Sequence, residues 1–334
     1  MATQKKRAKA ARQAAKPAAK THVKIHETPA PEHLVSGADI ILAALRDCGV
    51  DTIFGYPGGA VLPIYDSLHG NNSMRHILVR HEQGAAHAAE GYARSTGKPG
   101  VLVVTSGPGV TNAITGLTDA YLDSIPIVCI SGQVPTYMIG TDAFQECDAT
   151  GLTRSCTKHN FLVKDVKDLA RTIFEAVKIA TSGRPGPVLI DVPKNVQLAK
   201  TEYKKIEKVY VPGFKPPLRG NPFLIEQAAS LMAKAKKPVF YTGGGVINSG
   251  PDASKKLREL VRVTGYPITS TLMGLGAFPG EDKQFLGMLG MHGTYEANMA
   301  MHDCDVMICI GARFDDRITG RLDAFSPQSK KIHI

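Results

Sequence analysis

The stretch Arg80-His81-Glu82-Gln83-Gly84 puts a carboxylate immediately before an Ala-rich segment containing Ala85, Ala86 and Ala89. A carboxylate there has two uses. It can cap the helix that follows, or it can hydrogen-bond a ligand nitrogen from a desolvated pocket. His81-Glu82 does not extend to H-E-x-x-H, so the pair is not a zinc motif. Four glycine-rich turns, Gly58-Gly59, Gly107-Pro108-Gly109, Gly243-Gly244-Gly245 and Gly311-Ala312, each follow an apolar run. In open α/β sheets such turns lie at strand C-termini, where the backbone approaches a ligand closely and N–H groups meet phosphate. Tight turns required by the fold would account for them equally well. Walker A is absent, and Gly107-Pro108-Gly109-Val110-Thr111-Asn112 ends in Asn, which disfavours a standard dinucleotide fingerprint. The loop 140–146, G-T-D-A-F-Q-E, gathers polar groups around Phe144, and it reads either as surface or as a pocket wall. Lys158-His159, Arg184 and Lys194 offer cations to an acidic substrate or a cofactor phosphate, or remain solvated.

Positioning these groups requires strands and helices in alternation. Ser36-Gly37-Ala38-Asp39 fits a capping box, Ile41, Leu45 and Cys48 recur at helical spacing, and Gly49 suits the helix end. Strands are expected at 51–54, 76–79, 101–105, 125–131 and 188–192, with helices at 83–95 and 111–122. Leu169, Ile173, Val177 and Ala180 mark a further helix face. Strand–helix alternation resumes at 239–242, 254–264, 268–271 and 306–310. Apolar strands without alternation, separated by helices, imply doubly wound α/β domains with parallel sheets covered on both faces. The expected organisation is a basic tail (1–35), a first domain (36–195), a charged, Pro-rich linker (196–221) and a second domain (222–334). Lys331-Ile332-His333-Ile334 reads as the start of a further buried strand, so the chain is expected to be a fragment.

The composition fits: 43% hydrophobic and 21% charged residues over 334 positions suffice for two globular cores. No apolar run approaches the ~20 residues of a bilayer span. Six cysteines without C-x-x-C spacing argue against a disulfide scaffold or zinc module and for a reducing compartment. The net charge of +10 resides mainly in eight cations between Lys5 and Lys24, leaving +2 for the rest. That Ala/Lys-rich tail is poorer in Ser and Arg than a transit peptide and lacks the interleaved aromatics of a nucleic-acid arm. A solvated tail on a cytoplasmic protein is expected, with plastid or mitochondrial targeting as the alternative, and neither nucleic acid nor membrane is an expected partner.

Taken together, Tyr56-Pro57-Gly58-Gly59-Ala60, R-H-E-Q-G at 80–84, Thr105-Ser106-Gly107-Pro108-Gly109, G-T-D-A-F-Q-E, Gly183-Arg184-Pro185-Gly186-Pro187 and G-A-R-F-D-D at 311–316 occur in one order. From about residue 36 onward the chain resembles the large catalytic subunit family of acetolactate synthase (acetohydroxyacid synthase). R-H-E-Q-G is shared with other thiamine-diphosphate enzymes; G-T-D-A-F-Q-E and G-A-R-F-D-D are more specific. The resemblance implies a domain for the cofactor's aminopyrimidine, here 36–195, and a central FAD-binding domain, here 222–334 and truncated. A third domain, with a G-D-G…N-N motif for Mg²⁺ and diphosphate, is not in this sequence, so no metal ligands are assigned.

By the same resemblance Glu82 bonds the aminopyrimidine and promotes its imino form, which deprotonates the thiazolium for attack on pyruvate. Gln145 stands near the reacting carbon, Gly59 opposite it, and Phe144 and Lys194 at the substrate entrance. FAD is assigned to Arg184, Gly244, Thr271, Leu272, Leu289, Gly290, Met291, His292, Gly311, Ala312, Arg313, Phe314 and Asp315, without a net redox role. Thr136-Tyr137 departs from members with arginine at the second position, which bears on the entrance channel. The implied reaction joins pyruvate to a second pyruvate or to 2-oxobutyrate, the first common step of branched-chain amino-acid synthesis. Implied partners are a second catalytic subunit, as a homodimer, and a small regulatory subunit. The alternatives are pyruvate oxidase, glyoxylate carboligase (which Glu82 argues against), or an inactive FAD-binding or assembly fragment. The 334 residues alone are expected to be inactive.

Overall fold

The computed structural model describes residues 33–334. The basic segment before them, with the tail and targeting expectations attached to it, lies outside the described residues. The first half holds β1 (Thr52–Gly55), β2 (Arg75–Leu78), β3 (Gly100–Val104), β4 (Ile127–Gln133), β5 (His159–Leu162) and β6 (Val188–Pro193). They form one parallel sheet in the order β2-β1-β3-β4-β6-β5. Its helices are α1 (Gly37–Asp47), α2 (Leu62–Leu68), α3 (Glu82–Thr96), α4 (Pro108–Asp123), α5 (Ala149–Thr153), α6 (Val166–Thr181) and α7 (Lys194–Leu198).

The unalternating strand sequences have a direct cause. Val101 and Val103 face one core with α1 and α6, while Leu102 and Val104 face another with α3 and α4. Because both faces are covered, every position in β3 is buried. Ser36 caps α1 as its spacing predicts: its hydroxyl accepts from the Asp39 N–H at 3.1 Å and donates to the Asp39 carboxylate. Gly49, at φ +83°, turns the chain out of that helix.

The second sheet contains β7 (Pro238–Thr242), β8 (Ile268–Ser270), β9 (Phe285–Met288), β10 (Val306–Ile310) and β11 (Lys330–His333), ordered β9-β8-β7-β10-β11 and again parallel. Around it lie α8 (Pro222–Lys234), α9 (Gly244–Asn248), α10 (Pro251–Thr264), α11 (Tyr295–Asp303) and α12 (Asp316–Thr319). Among the described residues no helix is long and apolar enough to cross a membrane.

Part of the stretch read as a linker is regular structure. Val196 and Gln197 are buried in α7, and Lys200–Glu202 is a short strand. Tyr203, Ile206, Val209 and Val211 then lie against the first core. These apolar residues alternate with lysines and glutamates, so composition alone reads the segment as solvated. The helix α8 is absent from the sequence expectation although Ala228, Leu231 and Met232, at helical spacing, lie partly buried against the second core. Its available signal was the Asn221 cap followed by Pro222 at the first helical position.

Candidate active and cofactor sites

Strand order reverses between β1 and β3 in the first sheet and between β7 and β10 in the second. Crevices at such switch points, beyond the strand C-termini, are where open α/β sheets take ligands.

At the first crevice the turn after β1 carries Gly58 and Gly59. A methyl on Gly58 would come within 2.5 Å of the Thr105 side chain, whereas Gly59 is exposed with open space around it. Glu82 opens α3 but does not cap it. His81 takes that role, its Nδ1 accepting from the Gln83 N–H at 3.2 Å. Glu82 is 8% exposed, and its Oε2 accepts from Asn112 Nδ2 at 3.0 Å. Among the described residues Oε1 receives no hydrogen bond, and a methyl on Gly109 would approach it to 3.6 Å. Burial, and secondarily the charge of Glu82, keep the Tyr65 phenol protonated far above its ordinary range. A buried carboxylate with one oxygen uncommitted, beside a glycine that leaves room, fits a ligand that offers a ring nitrogen.

The 140–146 loop reaches the same edge. Gln145 adopts φ +58°, and its carbonyl lies where a methyl on Gly107 would come to 2.6 Å. Glu146 ties the loop to itself, accepting from the Gly140 N–H and from the Ala143 N–H at 3.0 Å. Phe144 is 87% exposed and Lys194, the first residue of α7, is half-buried.

The second crevice opens into a cleft of about 780 Å³ lined by Arg184, Gly244, Thr271, Gly311, Ala312, Arg313 and Asp315 among others. Its floor is two glycine turns in contact: methyls on Gly243 and Gly245 would come within 2.5 Å of Ala312 Cα and 2.8 Å of Gly311 Cα. The guanidinium of Arg184 bonds Ser124 Oγ at 2.7 Å and the carbonyls of Tyr121 and Leu122, and Arg313 bonds Leu122 O at 2.6 Å. Burial, then repulsion from Arg313, lowers the Arg184 pKa. Two neighbouring cations beside close-packed glycines fit a diphosphate. Leu272, Leu289, Gly290, Met291, His292 and Phe314 do not line this cleft. Leu272 and Met291 are exposed, Leu289 is buried in the core, and Gly290 bonds Asn298 through both backbone groups. The half-buried Phe314 ring packs on Tyr241, Phe325 and His333 against the core.

The sequence reading passed over Asn112, Ser131, Gln133 and Asp191. The last three are polar residues inside otherwise apolar strands, which was the signal available. Burial pushes the Asp191 carboxyl up to about 7 even though Ser131 and Gln133 donate to it.

Residues 35–152 match the family described as thiamine pyrophosphate enzyme, N-terminal TPP binding domain, and residues 225–334 match the thiamine pyrophosphate enzyme central domain. The chain belongs to the thiamine pyrophosphate enzymes. Within them it is similar to the acetolactate synthase large subunits of Mycobacterium tuberculosis, 52% identical over 90% of this chain and 48% of the relative, and of Haemophilus influenzae, 52% identical over 90% and 52%. The chloroplastic acetolactate synthase of Arabidopsis thaliana is 51% identical over 91% of this chain and 45% of its own length. The chain spans about half the length of the curated relatives it matches.

Proposed function

We propose that this chain supplies the aminopyrimidine-binding and FAD-binding parts of an acetolactate synthase catalytic subunit. Its substrates would be pyruvate and a second 2-keto acid, pyruvate or 2-oxobutyrate. The observation that carries the reading is Glu82: buried, relieved of capping by His81, and with one carboxylate oxygen uncommitted beside Gly109 among the described residues. Bound thiamine diphosphate supplies the electron sink for decarboxylating a 2-keto acid. Glu82 would hold and exchange a proton at the aminopyrimidine nitrogen, and Asn112 fixes the carboxylate's rotamer for that task. Gly59 leaves space opposite, and Gln145 approaches over Gly107. Phe144 and Lys194 flank the way in; the aromatic ring sheds water and the ammonium attracts a carboxylate.

FAD would occupy the 780 Å³ cleft, where Arg184 and Arg313 would offer charge to its diphosphate and Gly244, Thr271, Gly311, Ala312 and Asp315 would hold it. The proposed division is 36–195 for thiamine diphosphate and 222–334 for FAD. Mg²⁺ ligands would come from outside these residues. The proposed assembly is a homodimer of catalytic subunits with a small regulatory subunit, in keeping with the "large subunit" names of the relatives. The proposed location is the cytoplasm, with a plastid as the alternative because the Arabidopsis relative is chloroplastic.

The test is Glu82→Gln in the full-length gene product, assayed for acetolactate with thiamine diphosphate, Mg²⁺ and FAD. Gln keeps the shape but cannot exchange the proton, so turnover should fall ~10²–10⁴-fold while flavin stays bound. Near-native turnover would refute the assignment.

A further inference from the structure

Asp191 lies inside the first sheet, 2% exposed, between Ile190 and Val192. The Ser131 hydroxyl donates to its Oδ1 at 2.7 Å and Gln133 Nε2 donates to Oδ2 at 2.9 Å. The same Gln133 nitrogen also donates to the Cys147 carbonyl at 2.8 Å, while Gln133 Oε1 accepts from the Val134 N–H at 2.9 Å. This pattern fixes which end of the amide is which: two acceptors face the nitrogen and one donor faces the oxygen.

Cys147 ends the loop that carries Gln145. Because Glu146 binds the loop's own backbone at Gly140 and Ala143, the segment behaves as one piece whose position is set where it is anchored. The anchor at its far end is Gln133, and Gln133 is held by Asp191. Among the described residues no cation pairs with Asp191; the ionisable groups facing it are the Asp148 carboxylate and the Cys129 and Cys147 thiols. A buried carboxylate without a cation is costly, and an apolar residue would fill a sheet interior at less expense. Packing alone therefore does not explain it.

We propose that Gln133 and Asp191 are positioning residues for Gln145: the carboxylate holds the Gln133 amide, and the amide holds the loop through the Cys147 carbonyl. This rests on the reading that Gln145 works at the reacting centre.

The experiment is a double-mutant cycle in the full-length gene product with thiamine diphosphate, Mg²⁺ and FAD, reading kcat and KM for pyruvate. Gln133→Met keeps the side-chain length and removes both N–H bonds. It should lower kcat/KM ~10-fold or more in the native background and less than ~2-fold in a Gln145→Ala background, where nothing is left to position. Asp191→Leu, which releases the amide from the other side, should give the same pair of results and stands in should Gln133→Met fail to fold. Asp191→Asn can accept from Gln133 and donate to Ser131, so it should keep kcat/KM within ~3-fold of native. Equal losses in both backgrounds, no loss in the native one, or an Asp191→Asn defect as large as that of Gln133→Met would overturn the proposal. An unsubstituted protein that makes no acetolactate would refute the proposed function instead.

Discussion

Asp191 makes stability depend on pH in a defined direction. Its folded pKa, about 7, lies above the ~4 of an unfolded aspartate, so in the intervening range the folded chain holds a proton the unfolded chain has released. The stabilisation is complete below pH ~4 and is lost as pH rises to about 7; the full displacement corresponds to about 4 kcal/mol at most. Asp191→Asn removes that titration without removing the hydrogen bonds. Thermal melts of the 334-residue chain should show the variant gaining on the native protein from pH 5 to pH 8. A constant difference across that range would show that the group does not titrate there. The same scale explains why Glu82 is available for chemistry: an imidazole nitrogen one residue earlier has taken over the capping bond.

At the scale of elements, the glycine turns after β7 and β10 are packed backbone to backbone. A methyl on Gly243 would meet Ala312 Cα at 2.5 Å, and neither partner is a flexible side-chain end that could swing aside. Gly243→Ala should therefore cost about 1–3 kcal/mol of stability and widen the cleft's floor. A denaturation midpoint and a flavin titration measured together would check both effects. By contrast Ser36 does not line the second cleft, so Ser36→Ala should cost ~1 kcal/mol without changing flavin affinity.

Across the whole molecule, the C-terminal carbonyls of α4 receive Arg184 from the segment after α6 and Arg313 from the turn after β10. One helix end thus collects cations from both halves and aims them at one cleft. Arg313→Ala should weaken flavin binding ~10–100-fold, as expected for loss of a charge-assisted hydrogen bond, and should flatten its salt dependence. Flavin fluorescence titrations at low and high salt read this; unchanged affinity would remove the diphosphate from this end of the cleft. Deleting residues 1–30 should leave both melting temperature and flavin affinity unchanged, because their eight cations come without a periodic apolar face.

Local chemistry determined much of this protein. Unbroken apolar runs such as 101–104 demanded strands buried on both faces, Ser36 and Asp39 fixed a helix start, and glycines after strands marked both crevices. Each of those signals involves residues within a few positions of one another. The strand orders required the tertiary structure, because many pairings bury the same apolar strands and only packing against the helices selects one. The linker's first residues and α8 also escaped the sequence, the former because lysines hide the residues that dock, the latter because α8 docks only through the partly buried Ala228, Leu231 and Met232. The links from Glu82 to Asn112, from Gln133 to Asp191 and from Arg313 to Leu122 span 30, 58 and 191 positions. No local pattern encodes such partners, since they meet only after the sheets have brought distant strand ends together.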